Sequence, residues 1–227
     1  MAGVLTKRKN EKGCELTSHL ASFDNKLFAS LPLSQVAGVL TKQELWAYVL
    51  PLAAFDWLYP RRVLPAAPPS ALRLCGEIAA GLVLYDLFFF ACHLAFHRLP
   101  WLAPYHARHH RARVVRAIDT LSLSYLEEFA DVACSIAALN LLRAHPLSRA
   151  LYNIVIVYLL SELHCGYDFP WMAHNVMPFR LMGGPPAHDL HHRTGRACYQ
   201  KFFTYLDRGF GFSAEVTPAE AEKGLRR

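Results

Sequence analysis

The 227-residue sequence carries twelve histidines, and eight of them fall into three tight groups. His93 and His97 make an H-x-x-x-H pair, His106, His109 and His110 an H-x-x-H-H array, and His188, His191 and His192 a second such array. Residues three and four apart share one face of a helix, so each group is expected to turn its imidazoles toward a single point, as a metal ion requires. Imidazole suits zinc, copper, iron or nickel. A structural zinc takes four ligands and a catalytic zinc three plus water, so eight convergent histidines point to two metals. The E-x-x-H carboxylate boxes of soluble di-iron bundles are absent from the sequence. Asp86 lies seven residues before His93 on the same expected helical stripe. A carboxylate there is expected to accept the second ring N–H of a ligating histidine and fix its tautomer. His19 and His145 lie outside the groups and read as hydrogen-bonded core residues.

Four apolar segments are available to position these groups. They run over about 39–59, 72–96, 121–142 and 147–163. The second is long enough to span a bilayer, which takes roughly 20 residues, although it carries Glu77 and Asp86. The last two are joined by the turn Arg143-Ala-His-Pro-Leu-Ser and read as a helical hairpin, despite the β-branched run from Ile154. Pro65 to Pro69 must break any helix, and from Gly166 onward prolines and glycines mark an irregular, soluble cap. The expected fold is all-α: an integral membrane bundle of about four transmembrane helices with a histidine-rich helical cap. Residues 1–38 are expected to be a cytosolic leader and 39–227 the membrane-embedded domain. The first twenty residues are polar and basic, without the apolar core of a cleavable signal peptide.

The formal charge is +6, from 24 Lys+Arg against 18 Asp+Glu. The cations gather beside apolar stretches and histidines, at Lys7-Arg8-Lys9, Arg108, Arg111, Arg113, Arg116 and Arg193, with no nucleic-acid motif. Anionic headgroups or an acidic redox partner fit this pattern, and nucleic acid does not. Four crossings put the amino terminus, the Arg108–Arg116 loop and the carboxyl terminus on one side, which the arginines make cytosolic. Arg61-Arg62 argues for the opposite orientation. The six cysteines contain no C-x-x-C pair and read as reduced, mostly buried side chains.

From about Tyr85 to Gly211 the chain resembles the fatty acid hydroxylase superfamily of sterol desaturases and hydroxylases, in look nearest its cholesterol 25-hydroxylase branch. The resemblance is carried by Tyr85-Asp-Leu-Phe-Phe-Phe-Ala-Cys-His, His97-Arg-Leu-Pro-Trp-Leu and Tyr105-His-Ala-Arg-His-His. It continues through Glu162-Leu-His-Cys-Gly-Tyr-Asp-Phe-Pro-Trp, Ala187-His-Asp-Leu-His-His and Phe203-Thr-Tyr-Leu-Asp. It implies a ninth metal ligand, His164, and places His174 beside the metals or facing substrate. Asp168 and Asp189 are candidates to orient ligands, with exposed turn carboxylates as the equal alternative. The family pattern usually has Ser at Cys165, Asn at Cys198 and Trp at Leu206. These departures bear on substrate contacts or on hydrogen bonds behind the ligands, while all nine histidines are kept.

The resemblance implies two non-haem irons, reduced one electron at a time, that react with O₂ to hydroxylate an unactivated C–H bond of a sterol or other lipid. Sterol or acyl desaturation within the same superfamily stays open beside hydroxylation. It further implies an endoplasmic reticulum membrane, multi-pass, with the histidine boxes facing the cytosol. No nucleotide fingerprint and no His-Pro-Gly-Gly haem segment is present, so electrons must come from elsewhere, and the resemblance implies a cytochrome b5-like donor. Two readings outside this chemistry remain: a non-catalytic membrane zinc protein, and a membrane haem protein using paired histidines. The haem reading leaves both H-x-x-H-H arrays unexplained.

Overall fold

The computed structural model describes residues 67–111 and 123–214, with shorter pieces at 49–51, 53–55, 57–58 and at 65. Those short pieces at 49–58 are helical, while the rest of the first apolar segment and the leader 1–38 lie outside the described residues.

After the proline-rich turn, Ser70 caps helix α1 (Ala71–Arg98) by accepting from the Arg73 amide at 3.3 Å. At 28 residues this helix is about 42 Å long, more than a bilayer's hydrocarbon core of about 30 Å. Among the described residues it is the one helix long and apolar enough to cross a membrane, and only 28% of its most apolar window is buried. Pro100 follows the C-cap Leu99, and the short helix α2 (Ala103–His106) and the 3-10 turn His109–Arg111 carry the chain back across its end.

Helix α3 (Tyr125–Leu141) starts at a full capping box, in which Ser124 accepts from the Glu127 amide and Glu127 reaches back to the Ser124 amide at 2.9 Å. Helix α4 (Pro146–Leu163) starts with Pro146 at its first turn and His145 as its cap. His145 Nδ1 accepts from the Leu147 amide at 3.1 Å, so this histidine serves local structure, as its isolation from the groups implies. Arg149 locks the α3–α4 hairpin by donating to the carbonyls of Leu139 and Ala144. The β-branched run from Ile154 is helical, because its position in the hairpin outweighs a weak local preference.

Both hairpin helices pack on α1. Tyr85, Cys134, Ala138, Leu139, Tyr152, Ile156, Leu159 and Phe202 form the shared core. Beyond α4 come the short helix α5 (Ala173–Val176), helix α6 (Gly184–Thr194) and the short helix α7 (Tyr205–Gly209). The described residues contain no strand, only an isolated Met182–Phe203 bridge. They are all-helical, with the irregular region after Gly166 where its prolines and glycines place it.

Candidate metal centre

Five elements supply the histidines. Helix α1 brings His93 and His97 on adjacent turns, α2 ends on His106, and the 3-10 turn holds His109 and His110. His164 is the C-cap of α4, and α6 carries His188, His191 and His192. Their ring nitrogens collect into two groups, each within a 4.8 Å span. The first group is His93, His97, His106, His110 and His191, and the second is His109, His164, His188 and His192.

The expectation that each sequence group turns toward one point is therefore corrected. His106 and His110, four apart, serve the first group, while His109 serves the second. His188 and His192, again four apart, serve the second, while His191 serves the first. Consecutive helical residues project about 100° apart, so a His-His doublet faces two points and ties the groups together. Across the divide, the rings of His110 and His192 are 4.7 Å apart.

Most of these rings are fixed by what their Nδ1 atoms donate to. His93 donates to the Tyr199 carbonyl at 2.7 Å, His191 to the Ala197 carbonyl at 2.7 Å, and His164 to the Leu160 carbonyl at 2.9 Å. His110 approaches the His192 carbonyl at 3.4 Å, and His106 donates to the Glu127 carboxylate. A proton on Nδ1 leaves Nε2 as a bare lone pair. Those lone pairs converge: Nε2 of His106 lies 2.8 Å from that of His110 and 3.2 Å from that of His93. In the second group, Nε2 of His188 lies 2.9 Å from that of His164 and 3.0 Å from that of His192.

Two unprotonated nitrogens at that spacing repel each other unless a cation shares them. Nitrogens at right angles around an ion, with bonds of about 2.1 Å, sit roughly 3 Å apart, so the donors fit one metal per group. Nδ1 of both His109 and His192 is also buried without a hydrogen-bond partner among the described residues.

Burial, and then the neighbouring imidazoles, hold His109 and His188 well below the ordinary histidine range. Burial and His110 do the same for His191. His192 falls to about 3 and His110 to about 4, in both cases first through burial and then through adjacent histidines. The neutral imidazoles that a metal requires are thus the resting state of these five rings near neutral pH.

Two of the anchoring carbonyls belong to the segment after α6, and buried carboxylates fasten that segment. Asp86, fully buried, accepts from Gln200 Nε2 at 2.7 Å and from the amides of Lys201, Phe202 and Phe203 at 3.0, 2.9 and 3.2 Å. Asp207 accepts from the amides of Tyr199 and Gln200, and burial pushes its carboxyl up to about 6. Asp86 therefore does not accept from a ligating histidine, as the α1 stripe suggested. Its side chain meets the 200–203 backbone, and His93 finds the Tyr199 carbonyl instead. Among the described residues, the direct carboxylate partner of one of the nine clustered histidines is Glu127, on His106, which sequence reasoning missed. Its signal was the Ser124-Tyr-Leu-Glu capping box, whose glutamate has a second oxygen to offer.

The other candidates act further out. Asp168 accepts from His174 Nε2 at 3.0 Å and from Asn175 Nδ2 at 2.7 Å. Its hydrogen bond to His174 holds its carboxyl below the usual range. The His174 ring packs on Gly184, where a Cβ would lie 2.2 Å from its Cγ, so His174 seats the start of α6. Asp189 pairs with Arg193 at 2.5 Å, one turn along α6, and does not orient a histidine. Cys165, in place of the family's Ser, receives the Tyr167 amide at 3.4 Å, and Cys198, in place of Asn, sits at φ 54°.

In front of both groups lies a cleft of about 550 Å³ including its open mouth. His93, His106, His109, His164 and His188 face it, and Phe89, Phe96, Leu123 and Leu160 form apolar wall.

The sequence profile described as fatty acid hydroxylase matches residues 78–212. A cholesterol 25-hydroxylase-like protein of Danio rerio is 36% identical over 175 residues, covering 72% of this chain and 66% of that protein. Cholesterol 25-hydroxylase of Homo sapiens is 34% identical over 165 residues (72% and 61%), and that of Mus musculus 31% over 173 residues (76% and 58%). The chain spans about three fifths of the length of these curated relatives. No solved structure matches it.

Proposed function

The chain belongs to the fatty acid hydroxylase family, and on that premise we propose that it is a membrane di-iron oxygenase that hydroxylates a sterol or other lipid at an unactivated C–H bond. The observation that carries this reading is the pair of all-histidine cages opening on one apolar-walled cleft. His93, His97, His106, His110 and His191 would hold one iron, and His109, His164, His188 and His192 the other. When bound, the irons supply the redox chemistry by which O₂, two electrons and two protons convert a C–H bond to C–OH and water.

This chain's own residues do the rest. Glu127 and the carbonyls of Tyr199, Ala197 and Leu160 keep the Nε2 lone pairs aimed inward. Phe89, Phe96, Leu123 and Leu160 exclude water and offer an apolar surface to the lipid. The relatives' names favour hydroxylation over desaturation, and cholesterol or a related sterol as the first substrate to try.

Four spans are proposed: the segment 39–59, α1, α3 and α4, with the histidine cages in a cytosolic cap and residues 1–38 as leader. The long, sparsely buried α1 and the outward-facing Ile154, Val157 and Tyr158 of α4 support lipid contact on those helices. Residence in the endoplasmic reticulum and electron supply from a cytochrome b5-like donor belong to the same proposal. The donor would dock on the arginine-rich sequence 108–116.

The test is elemental analysis with Mössbauer spectroscopy on detergent-purified chain from iron-57-supplemented cells. Two coupled irons per chain, lost in His191→Ala and His109→Ala, support the reading. Zinc alone, with no turnover after iron loading, makes the chain a non-catalytic metal protein. A Soret band makes it a haem protein.

A further inference from the structure

Between His164 and helix α6 the chain turns polar groups inward and apolar side chains outward. Asn175 Nδ2 donates to the Asp168 carboxylate at 2.7 Å and to the Phe169 carbonyl at 2.8 Å. The Ala173 amide donates to Glu162 at 2.8 Å. Phe169, Trp171, Val176, Met177, Phe179 and Leu181 are all exposed, Trp171 to 68% and Phe179 to 84%. Tyr167, Phe169 and Trp171 stack in a row, with ring centres 5.4 and 4.8 Å apart.

Phe179 is held out by a strained backbone. It and Arg180 have φ of 59° and 50°, a region that residues other than glycine seldom adopt. Arg208 fastens the pair by donating to both carbonyls, at 3.0 and 2.6 Å. Thr204 Oγ1 donates to the Arg180 carbonyl at 2.8 Å.

A contiguous exposed apolar patch of this kind marks a contact, and three features make the partner a lipid surface. The patch begins three residues past His164, where the outward apolar row Ile154, Val157 and Tyr158 of α4 leads. Residues 169–181 carry a single charge, Arg180, among aromatic rings, which is the composition of the headgroup level, where a cation meets lipid phosphate. The segment is irregular, built from the short helix α5 and a 3-10 turn at Pro178–Arg180. Such backbone is excluded from lipid-facing positions in the hydrocarbon core and is tolerated at its boundary.

We infer that residues 167–181 lie in the boundary between headgroups and acyl chains and seat the histidine cages against the bilayer. This rests on α4 spanning the membrane, as proposed above. Three residues of chain cover at most about 11 Å, so the boundary lies close to His164, which lines the cleft.

The experiment is tryptophan quenching in the full chain, reconstituted into phosphatidylcholine vesicles that carry a nitroxide either near the top or near the end of the acyl chain. Trp46→Phe, Trp57→Phe and Trp101→Phe together leave Trp171 as reporter. Adding Trp171→Phe and Ile154→Trp moves the reporter to α4, about 15 Å along the helix from His164. Trp171 should be quenched about twofold or more strongly by the shallow nitroxide than by the deep one, and the Ile154→Trp reporter in the reverse order. If the α4 reporter is quenched and Trp171 is not, the inference is overturned. Acrylamide then tells whether water or a protein surface, such as a second copy of the chain, covers the patch. Stronger quenching of Trp171 by the deep nitroxide overturns it as well. If neither reporter is quenched, the membrane reading of α4 falls, and the inference with it. The unsubstituted chain gives an independent reading, because a phosphatidylcholine with a diazirine near the top of its acyl chain should label residues 167–181. Label on α4 with none on that segment also overturns the inference.

Discussion

Replacing Glu127 by Gln should weaken iron binding about 10- to 100-fold, and the reason lies in counting acceptors. In the wild type one carboxylate oxygen receives His106 Nδ1–H and the other receives the Ser124 amide at 2.9 Å. Glutamine offers one oxygen and one NH₂. If its oxygen faces His106, the NH₂ meets the Ser124 N–H, donor against donor, and the start of α3 is weakened. If the amide flips, its NH₂ faces His106 Nδ1 and drives the ring proton to Nε2. That is the atom converging with Nε2 of His93, His97 and His110, so the tautomer that ligates is lost. The expected loss corresponds to about 1.4–2.7 kcal/mol of metal affinity. Ser124→Ala is the control, because it removes the cap at a cost of about 1 kcal/mol in stability and leaves the carboxylate on His106. Iron affinity is read by competition with a chelator, and stability by thermal unfolding of the metal-free chain. Glu127→Gln with iron affinity within about twofold of wild type, or Ser124→Ala losing as much iron, would refute the reasoning.

Asp86→Ala leaves a side-chain amide and three backbone N–H groups without their acceptor, and at roughly 1–3 kcal/mol each it should cost several kcal/mol in chemical unfolding. A loss below about 1 kcal/mol would mean that the 200–203 segment finds other partners. Gly184→Ala puts a methyl 2.2 Å from His174 Cγ at φ +61°, so it should unseat α6 and lower metal content. Gly76→Ala, where a Cβ meets nothing within 4 Å, should be neutral or gain up to about 1 kcal/mol by the same melting assay. The metal-free chain should lose stability as pH falls from 6.5 toward 4. His110 and His192 take protons in the unfolded chain near their ordinary 6.5 but in the folded chain only near about 4 and about 3. Lowered histidine values mean that the unfolded state binds more protons in that window, so this stability is fully present above 6.5. An unfolding midpoint flat between pH 6.5 and 4 would show that the cage opens without protonation.

The long elements were readable because their signals are local. The apolar runs over 72–96, 121–142 and 147–163 have helical length, and the helices begin where Ser70, Ser124 and His145 cap them. The partnership of Asp86 was not readable in the same way. It shares α1 with His93, seven residues on, yet its four donors lie 114 to 117 residues away. No spacing rule reaches that far. Asp189 failed for the opposite reason: Arg193, one turn on, satisfies it more cheaply than a distant imidazole could.

The nine histidines themselves could be gathered from the sequence, eight by spacing and His164 by resemblance, but their division between two cages could not. An i, i+3, i+4 array looks like a single ligand face until the angle between neighbours is counted. His191-His192, on an α-helix, span about 100°, and His109-His110, in a 3-10 turn, about 120°, so one residue of each doublet must face the other cage. The doublets thereby make the two sites one mechanical unit. Helix α6 cannot rotate to improve His191 in the first group without dragging His192 out of the second. A side chain on either doublet is consequently expected to influence both metals, although it touches one. The same coupling explains why the fastening of that region is so heavily built. Asp86 and Asp207 hold residues 199–203, and the Tyr199 carbonyl holds His93. On α6 itself, the Ala197 carbonyl holds His191 and the His174 ring braces Gly184. With two cages sharing one short helix, small errors in its seat would be felt twice.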